Sequence, residues 1–438
     1  MGNYLVLIEG GMKIYRPSAV NLVPEWKPGE GDTPGEWVLN DASVKLKSSS
    51  LGITKTVVDG VYTQETNIDQ PDGKKYAQVA IGDTVTYILE ADVPQYPASA
   101  TATGYCISDN LPNGMTLGTI TVYGLEENDI STKLSSEGAT PAYTVTQGNA
   151  QRPTDNQGTQ AVDFILDFTY SQIKEYDKIR VVYTATANKD IKVVGDSEGQ
   201  DTNITGNVNT AYLDYNNNPY ETTGATWQTA HDTATVYTYG IKVTKTDDED
   251  ADKLLAGAEF QVYKDEDKDG IIDDGESAIQ FASTGSGTYR VAASDDANKK
   301  DKVTTSEGTS ATAPNLTLSG LDVGTYILKE TKAPAGYNLP SHTFSVTITD
   351  DKTISVENGN TTITDTPNGK PEYIPNDNGA TKTDRADGYE HITITNTQGF
   401  TLPTTGGMGT VLFTAGGVVL MGAGLVLLVV FLRRRRAK

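Results

Sequence analysis

The sequence predicts an all-β fold of tandem Ig-like β-sandwich domains, closed at the carboxy terminus by one transmembrane helix. Three observations carry this. Residues up to about 398 are rich in Thr, Val, Tyr, Gly and Asn, with short strand-like runs bounded by turn residues. Long helical periodicity is scarce there. An uncharged, largely apolar run from Gly407 to Leu432 then precedes Arg433–Arg436 and Lys438. Such a run is long enough to span a bilayer, which takes ~20 helical residues, and the arginines belong on the cytoplasmic side.

The elements divide the 438 residues into four parts. Residues 1–48 read as the remnant of an amino-terminal domain, with the strand-like run Tyr4–Ile8, a Pro/Gly-rich loop at Pro24–Gly35, then Trp37–Leu39 and Val44–Lys47. A fragment of this size buries little core alone. No basic region, apolar core and cleavage site precede the Tyr4–Ile8 run, as an exported protein requires, so a missing upstream segment is expected. Residues 49–239 contain Gln78–Ile81, Thr84–Leu89, Phe164–Phe168 and Ile179–Thr184, which suit two packed antiparallel sheets. Residues 240–398 open on Gly240–Lys245 and close on His391–Asn396. The joint at Tyr237–Gly240 is too short for a floppy linker, so a stiff rod is expected. Residues 399–438 hold the terminal motif, the apolar run and the basic tail.

Charge and composition exclude several functions. The net charge is -23, which disfavours nucleic acid and suits a solvated extracellular surface. Cys106 is the one cysteine, so no disulfide forms within the chain. With three histidines and no Cys/His or Ser-His-Asp arrangement that the sequence supports, a turnover enzyme with a catalytic cofactor is not expected.

Leu402-Pro403-Thr404-Thr405-Gly406, followed by the apolar run and basic tail, resembles the LPXTG sorting signal of Gram-positive surface proteins. The resemblance implies that a sortase attacks the carbonyl of Thr405, releases the tail from Gly406 and passes the chain to an amine. Pro403 stiffens an extended segment for such a groove.

Tyr326-Ile327-Leu328-Lys329-Glu330-Thr331-Lys332-Ala333-Pro334-Ala335-Gly336-Tyr337 matches every defined position of YxLxETxAPxGY. This resembles the E-box of CnaB-type pilin domains. The resemblance implies an intramolecular isopeptide bond between Lys245 and Asn396, assisted by Glu330. The chemistry is consistent: burial strips a lysine of its proton and leaves a carboxyl protonated, giving a nucleophile beside a proton relay. In the middle part, Gly52–Val58, Ile107–Pro112 and Asn207–Leu213 resemble the strands of CnaA-like pilin domains. They imply a bond from Lys55 to Asn209, with Asp109 as relay and Asn207 as the fallback on the same strand face. Each bond would close a loop of ~150 residues, for which disulfide loop entropy suggests ~5 kcal/mol.

Trp37-Val38-Leu39-Asn40-Asp41-Ala42-Ser43-Val44-Lys45-Leu46-Lys47 loosely resembles the WxxxVxVYPK motif of shaft pilins, with Lys45 and Leu46 replacing Tyr and Pro and one residue extra. Lys47 is the better match for the acceptor amine and Lys45 the alternative. The whole resemblance is to a backbone pilin. It implies a sortase-assembled, wall-anchored pilus subunit that is a sortase substrate rather than an enzyme. Its implied partners are sortase, neighbouring subunits in a covalent homopolymer, peptidoglycan, accessory pilins and host ligands. The alternative is a monomeric wall-anchored adhesin made from the same domains.

One further motif stands apart. Asp265 to Glu276 fits D-x-D-x-D-G-x5-E, the pattern of a calcium loop. Asp265, Asp267, Asp269, Asp273 and Glu276 would supply side-chain oxygens and Ile271 a carbonyl, for a structural Ca2+. The flanks read as strands, Phe260–Tyr263 and Ala278–Phe281, so the loop is not an EF-hand; it resembles calcium loops of Gram-positive B-repeat domains.

Overall fold

The computed structural model describes residues 2–6, 14–15, 18–39, 48–49, 51–62, 73–126, 131–154, 158–193, 206–220, 226–308, 313–349, 352–357, 360–365, 380–383, 388–399 and 409–435. The acceptor lysines Lys45 and Lys47 and the Leu402–Gly406 signal lie outside them.

The amino-terminal strands are short and pair locally. β1 (Gly2–Val6) pairs with β3 (Ser18–Leu22), and β2 (Ile14–Tyr15) with β6 (Ser48–Ser49). β4 (Pro24–Lys27) pairs with β5 (Glu36–Leu39), where Trp26 meets Trp37 edge to face at 5.4 Å.

The middle part is a sandwich. One sheet runs β12 (Ser131–Lys133), β11 (Met115–Leu125), β15 (Lys178–Ala187), β9 (Thr84–Asp92), β7 (Ile53–Asp59). The facing sheet runs β13 (Tyr143–Pro153), β14 (Thr159–Phe168), β10 (Tyr105–Asn110), β16 (Asn207–Asn216), β17 (Trp227–Tyr237), β8 (Tyr76–Gln78). A one-turn helix, α1 (Tyr170–Ile173), sits between β14 and β15. Alternation along the strands sends Val57, Tyr87, Leu89, Ile107, Phe164 and Val181 into one shared core.

The last part is a second sandwich with its own core, which includes Ile241, Val243, Phe260, Leu318, Leu328 and Ile394. Its larger sheet runs β20 (Phe281–Gly285), β21 (Thr288–Val291), β23 (Leu316–Leu321), β18 (Tyr239–Asp247), β29 (Tyr389–Asn396), β28 (Ala380–Thr383). The smaller runs β22 (Val303–Thr304), β19 (Glu259–Asp265), β24 (Gly324–Lys332), β25 (Phe344–Ile348). β26 (Lys352–Glu357) and β27 (Asn360–Asp365) form a separate hairpin. The opening strand β18 and the closing strand β29 are parallel neighbours, in register from Gly240↔Tyr389 to Asp247↔Asn396.

The joint between the sandwiches is hydrogen-bonded, as its shortness demands. Val79 N donates to Tyr237 O (2.9 Å), Ile81 N to Gly320 O (3.0 Å) and Thr238 Oγ1 to Leu321 O (3.0 Å). The expected strand Gln78–Ile81 is therefore strand only at Gln78. Beyond it the chain turns at Ile81–Gly82 and meets the second sandwich. Likewise Ala278–Gln280 is not strand: Ile279 N makes a single hydrogen bond to Val262 O of β19 (2.8 Å), and regular pairing begins only at Phe281.

After residue 399 the described chain resumes as α2 (Gly409–Arg435). Among the described residues no helix is long and apolar enough to cross a membrane.

Candidate functional sites: two buried lysines

Each sandwich buries one lysine completely, and period two explains how. On β7 the inward positions are Ile53, Lys55 and Val57, with Thr54 exposed between them. On β18 they are Ile241, Val243 and Lys245. Both lysines are 0 % exposed.

Around Lys55 the structure gathers groups from both sheets. Its Nζ is paired with Asp109 Oδ2 of β10 and donates to the Tyr183 hydroxyl of β15 at 2.7 Å. The same hydroxyl accepts from Asn209 Nδ2 of β16 at 2.8 Å. Nζ also lies 4.8 Å from the ring centroid of Tyr87 and 5.3 Å from that of Tyr183, which are stacked on each other. Asp109 Oδ1 and Asn209 Oδ1 have no hydrogen-bond partner. A buried polar atom left this way is costly. Burial lowers Lys55 from its usual 10.5 to about 8, against the opposing pull of Asp109. Burial likewise raises Asp109 from 3.8 to about 6, against the Lys55 charge. Both shifts favour the neutral amine and the neutral acid.

Asn207, the fallback, faces the same side of β16 but spends its amide on backbone. Its Nδ2 donates to Lys192 O (2.9 Å) and Val236 O (3.3 Å), and its Oδ1 accepts from Lys192 N. It is not part of the Lys55 cluster.

In the second sandwich Lys245 and Asn396 lie on adjacent strands of one sheet, and Glu330 reaches them from β24 of the opposite sheet. Lys245 Nζ donates to Ile394 O at 3.2 Å, and Glu330 Oε1 accepts from Asn396 Nδ2 at 2.7 Å. Glu330 Oε2 and Asn396 Oδ1 are buried and unpartnered. Burial lowers Lys245 to about 8 and raises Glu330.

Three residues at these sites were not singled out in the sequence. Tyr87 and Tyr183 wall the Lys55 site. Asp247 ends β18 and accepts from Tyr337 Oη (2.6 Å), Lys253 Nζ (3.0 Å) and Gln398 Nε2 (3.1 Å). These hydrogen bonds hold its carboxyl well below the usual range, Tyr337 contributing most. The final tyrosine of the E-box thus latches the start of the domain to its exit. Asn338 N to Thr397 O (3.0 Å) and Gly399 N to Gly336 O (2.8 Å) complete that clasp.

The Asp265–Glu276 loop follows β19. Carboxylate oxygens of Asp265, Asp267 and Asp269 lie within 4.8 Å of one another. Cys106 is buried in β10, away from either lysine's hydrogen bonds, and burial pushes its thiol well up.

Comparison with known proteins agrees with this architecture. Residues 239–362 match the family described as SpaA, prealbumin-like fold domain, and residues 394–438 match the LPXTG cell wall anchor motif. The chain thus carries a SpaA-type prealbumin-like domain followed, at its carboxy terminus, by an LPXTG cell wall anchor motif. It is 25 % identical over 368 residues to the trypsin-resistant surface T6 protein of Streptococcus pyogenes serotype M6, covering 78 % of this chain. The chain spans 55 % of the length of that curated relative. In fold it is similar to the T6 backbone pilin of serotype M6 Streptococcus pyogenes, with TM-score 0.53 and 21 % identity over 91 % of this chain and 80 % of that one. The group B streptococcus pilus 2b backbone protein is also similar, at TM-score 0.46 and 21 % identity over 80 % and 99 % of the two chains.

Proposed function

We propose that the chain is a structural subunit of a sortase-assembled pilus, stapled internally by Lys55–Asn209 and Lys245–Asn396 isopeptide bonds. One observation carries this reading. Each sandwich fully buries a lysine from its first strand, with a buried carboxyl group hydrogen-bonded or linked through a tyrosine to a late-strand asparagine, and a charged lysine buried there with no further purpose is expensive.

The chemistry balances without a cofactor. The neutral lysine Nζ attacks the asparagine Cγ and the C–N amide bond forms. The carboxylic acid, Asp109 or Glu330, gives its proton to the departing Nδ2, which leaves as ammonia, and receives the proton lost by Nζ. The reaction occurs once per site, without turnover. Tyr183 positions the middle site, since its hydroxyl lies between amine and amide.

The carboxy-terminal motif supplies the second half of the reading. The apolar run Gly407–Leu432 holds the newly exported chain in the membrane, with the arginines that follow it inside. Sortase then cleaves after Thr405 and joins that carbonyl to Lys47 of the next subunit, Lys45 being the alternative acceptor. Head-to-tail joining of this kind is heterologous and open, and it yields filaments. The last subunit is passed to peptidoglycan.

Intact mass and peptide mapping of the purified full chain test the staples. A deficit of two ammonia masses, with Lys55–Asn209 and Lys245–Asn396 peptides joined, is the expected result. A full mass with all four residues free would overturn the reading. Denaturing gels of wall extracts test the polymer: a high-mass ladder is expected, collapsing in Lys47→Ala, whereas a single wild-type band would identify a monomeric adhesin.

A further inference from the structure

We infer that the Asp265–Glu276 loop is a calcium site. The inference is independent of the staples and of polymerisation, since neither uses a residue of this loop.

The strongest observation is Asp265. It closes β19, is 2 % exposed, and has one oxygen satisfied and one not. Its Oδ2 accepts from Gly270 N at 3.0 Å, while Oδ1 is buried with no hydrogen-bond partner. The carboxylate is shared with a cluster in which Asp267 and Asp269 place oxygens within 4.8 Å. Bringing three carboxylates this close without a cation opposes folding of the loop. The basic side chain just before the loop, Lys264, is drawn away to Asp322 at 2.8 Å.

The backbone is already shaped to turn around a central ion. Lys268 at φ 61 and Gly270 at φ 79 adopt left-handed conformations that reverse the chain after Asp267. Ile271 N donates to Asp269 Oδ1 at 2.7 Å, and Asp269 N to Asp267 Oδ1 at 3.4 Å. Glu276 folds back across the loop, its two oxygens accepting from Glu266 N and Asp273 N at 3.2 Å each. It is therefore close enough to exchange those weak hydrogen bonds for a bidentate role.

The donor set chooses the metal. It is all oxygen, carboxylate-rich and carried on a loop, which suits the 6–8 oxygens and variable geometry of Ca2+. Mg2+ demands a stricter octahedron at ~2.0–2.1 Å and gives up water reluctantly. Zinc favours nitrogen and sulfur. The bound ion would fix the crossing from β19 in the smaller sheet to β20 in the larger one.

The test is calorimetry on the chelator-stripped full chain in detergent micelles, titrated with calcium chloride and, separately, magnesium chloride. One calcium per chain is expected, with affinity in the ~0.1–1 mM range of extracellular modules or tighter. Glu276→Gln and Asp267→Asn, both at positions outside the core, should each weaken binding about tenfold or more and lose the calcium-induced rise in melting temperature. No saturable heat with millimolar calcium would overturn the proposal. So would an equal response to magnesium, or unchanged calcium binding in the Asp267→Asn/Glu276→Gln double variant.

Discussion

Lys55 and Asp109 make a titrating pair whose behaviour depends on whether the staple has formed. In Asn209→Ala the amine has no amide to attack, so both groups stay free. Lys55 holds its proton to about 8 when folded and to 10.5 when unfolded, so the unfolded chain binds more protons between these values. Stability then rises with pH through that window. Asp109 titrates at about 6 when folded and 3.8 when unfolded, so the folded chain binds more protons there, and stability falls as pH rises from 3.8 to 6. The variant should therefore show a stability minimum between pH 6 and 8, measured as melting temperature against pH. The stapled protein keeps the Asp109 carboxyl but has no Lys55 amine, so it should lack the rise above pH 8 and show no trough. An identical trough in the two proteins would refute the middle staple. At this scale the sequence was legible where a motif names the residue: the E-box resemblance pointed to Lys245, Glu330 and Asn396, all three of which are buried, with Glu330 accepting from Asn396. Tyr183 was not legible, because in Ile179–Thr184 it reads as one more inward residue of a buried strand. Its partners are remote in sequence, Lys55 on the edge strand of the same sheet and Asn209 on the facing sheet. Asp247 was hidden in the same way, within an acidic turn that looked solvated.

Among the elements, strand identity followed from alternation, while strand ends were decided by tertiary contacts. Nothing in Val79-Ala80-Ile81 distinguishes strand from docking loop; the second sandwich does, by offering the Gly320 carbonyl to Ile81 N. Gly320 is itself constrained. It has φ +81, and a Cβ there would lie 2.5 Å from Ile81 Cδ1. Gly320→Ala should cost ~1–3 kcal/mol through backbone strain and a disturbed joint. Differential scanning calorimetry would check it, and the loss should appear in the second sandwich together with weakened coupling to the first. An unchanged thermogram would mean that the joint adapts freely. The E-box tail is a second case of an element explained only by its surroundings: Gly336 and Tyr337 close a turn whose worth lies in gripping Asp247 and Gln398.

For the molecule as a whole, the two sites differ in what they would tie together. Lys55 and Asn209 come from opposite sheets, so their staple would pin the two layers of the first sandwich. Lys245 and Asn396 belong to neighbouring parallel strands, so theirs would fasten the start of the second sandwich to its end. The parallel pairing of β18 with β29 then has a topological result. With the amide in place, residues 245–396 become a closed ring, and the chain enters and leaves that ring at almost one point. Tension passing from Tyr239 to Gln398 runs only along β18 to Lys245 and across the amide. The remainder of the ring is a side branch that carries none of it. Such a ring can be cut once without parting the fibre. A protease site engineered into the Asp295–Asn298 turn, once cleaved, should leave the polymer ladder at full height on a denaturing gel, whereas the same cut in Asn396→Ala should collapse the ladder to one subunit-sized band.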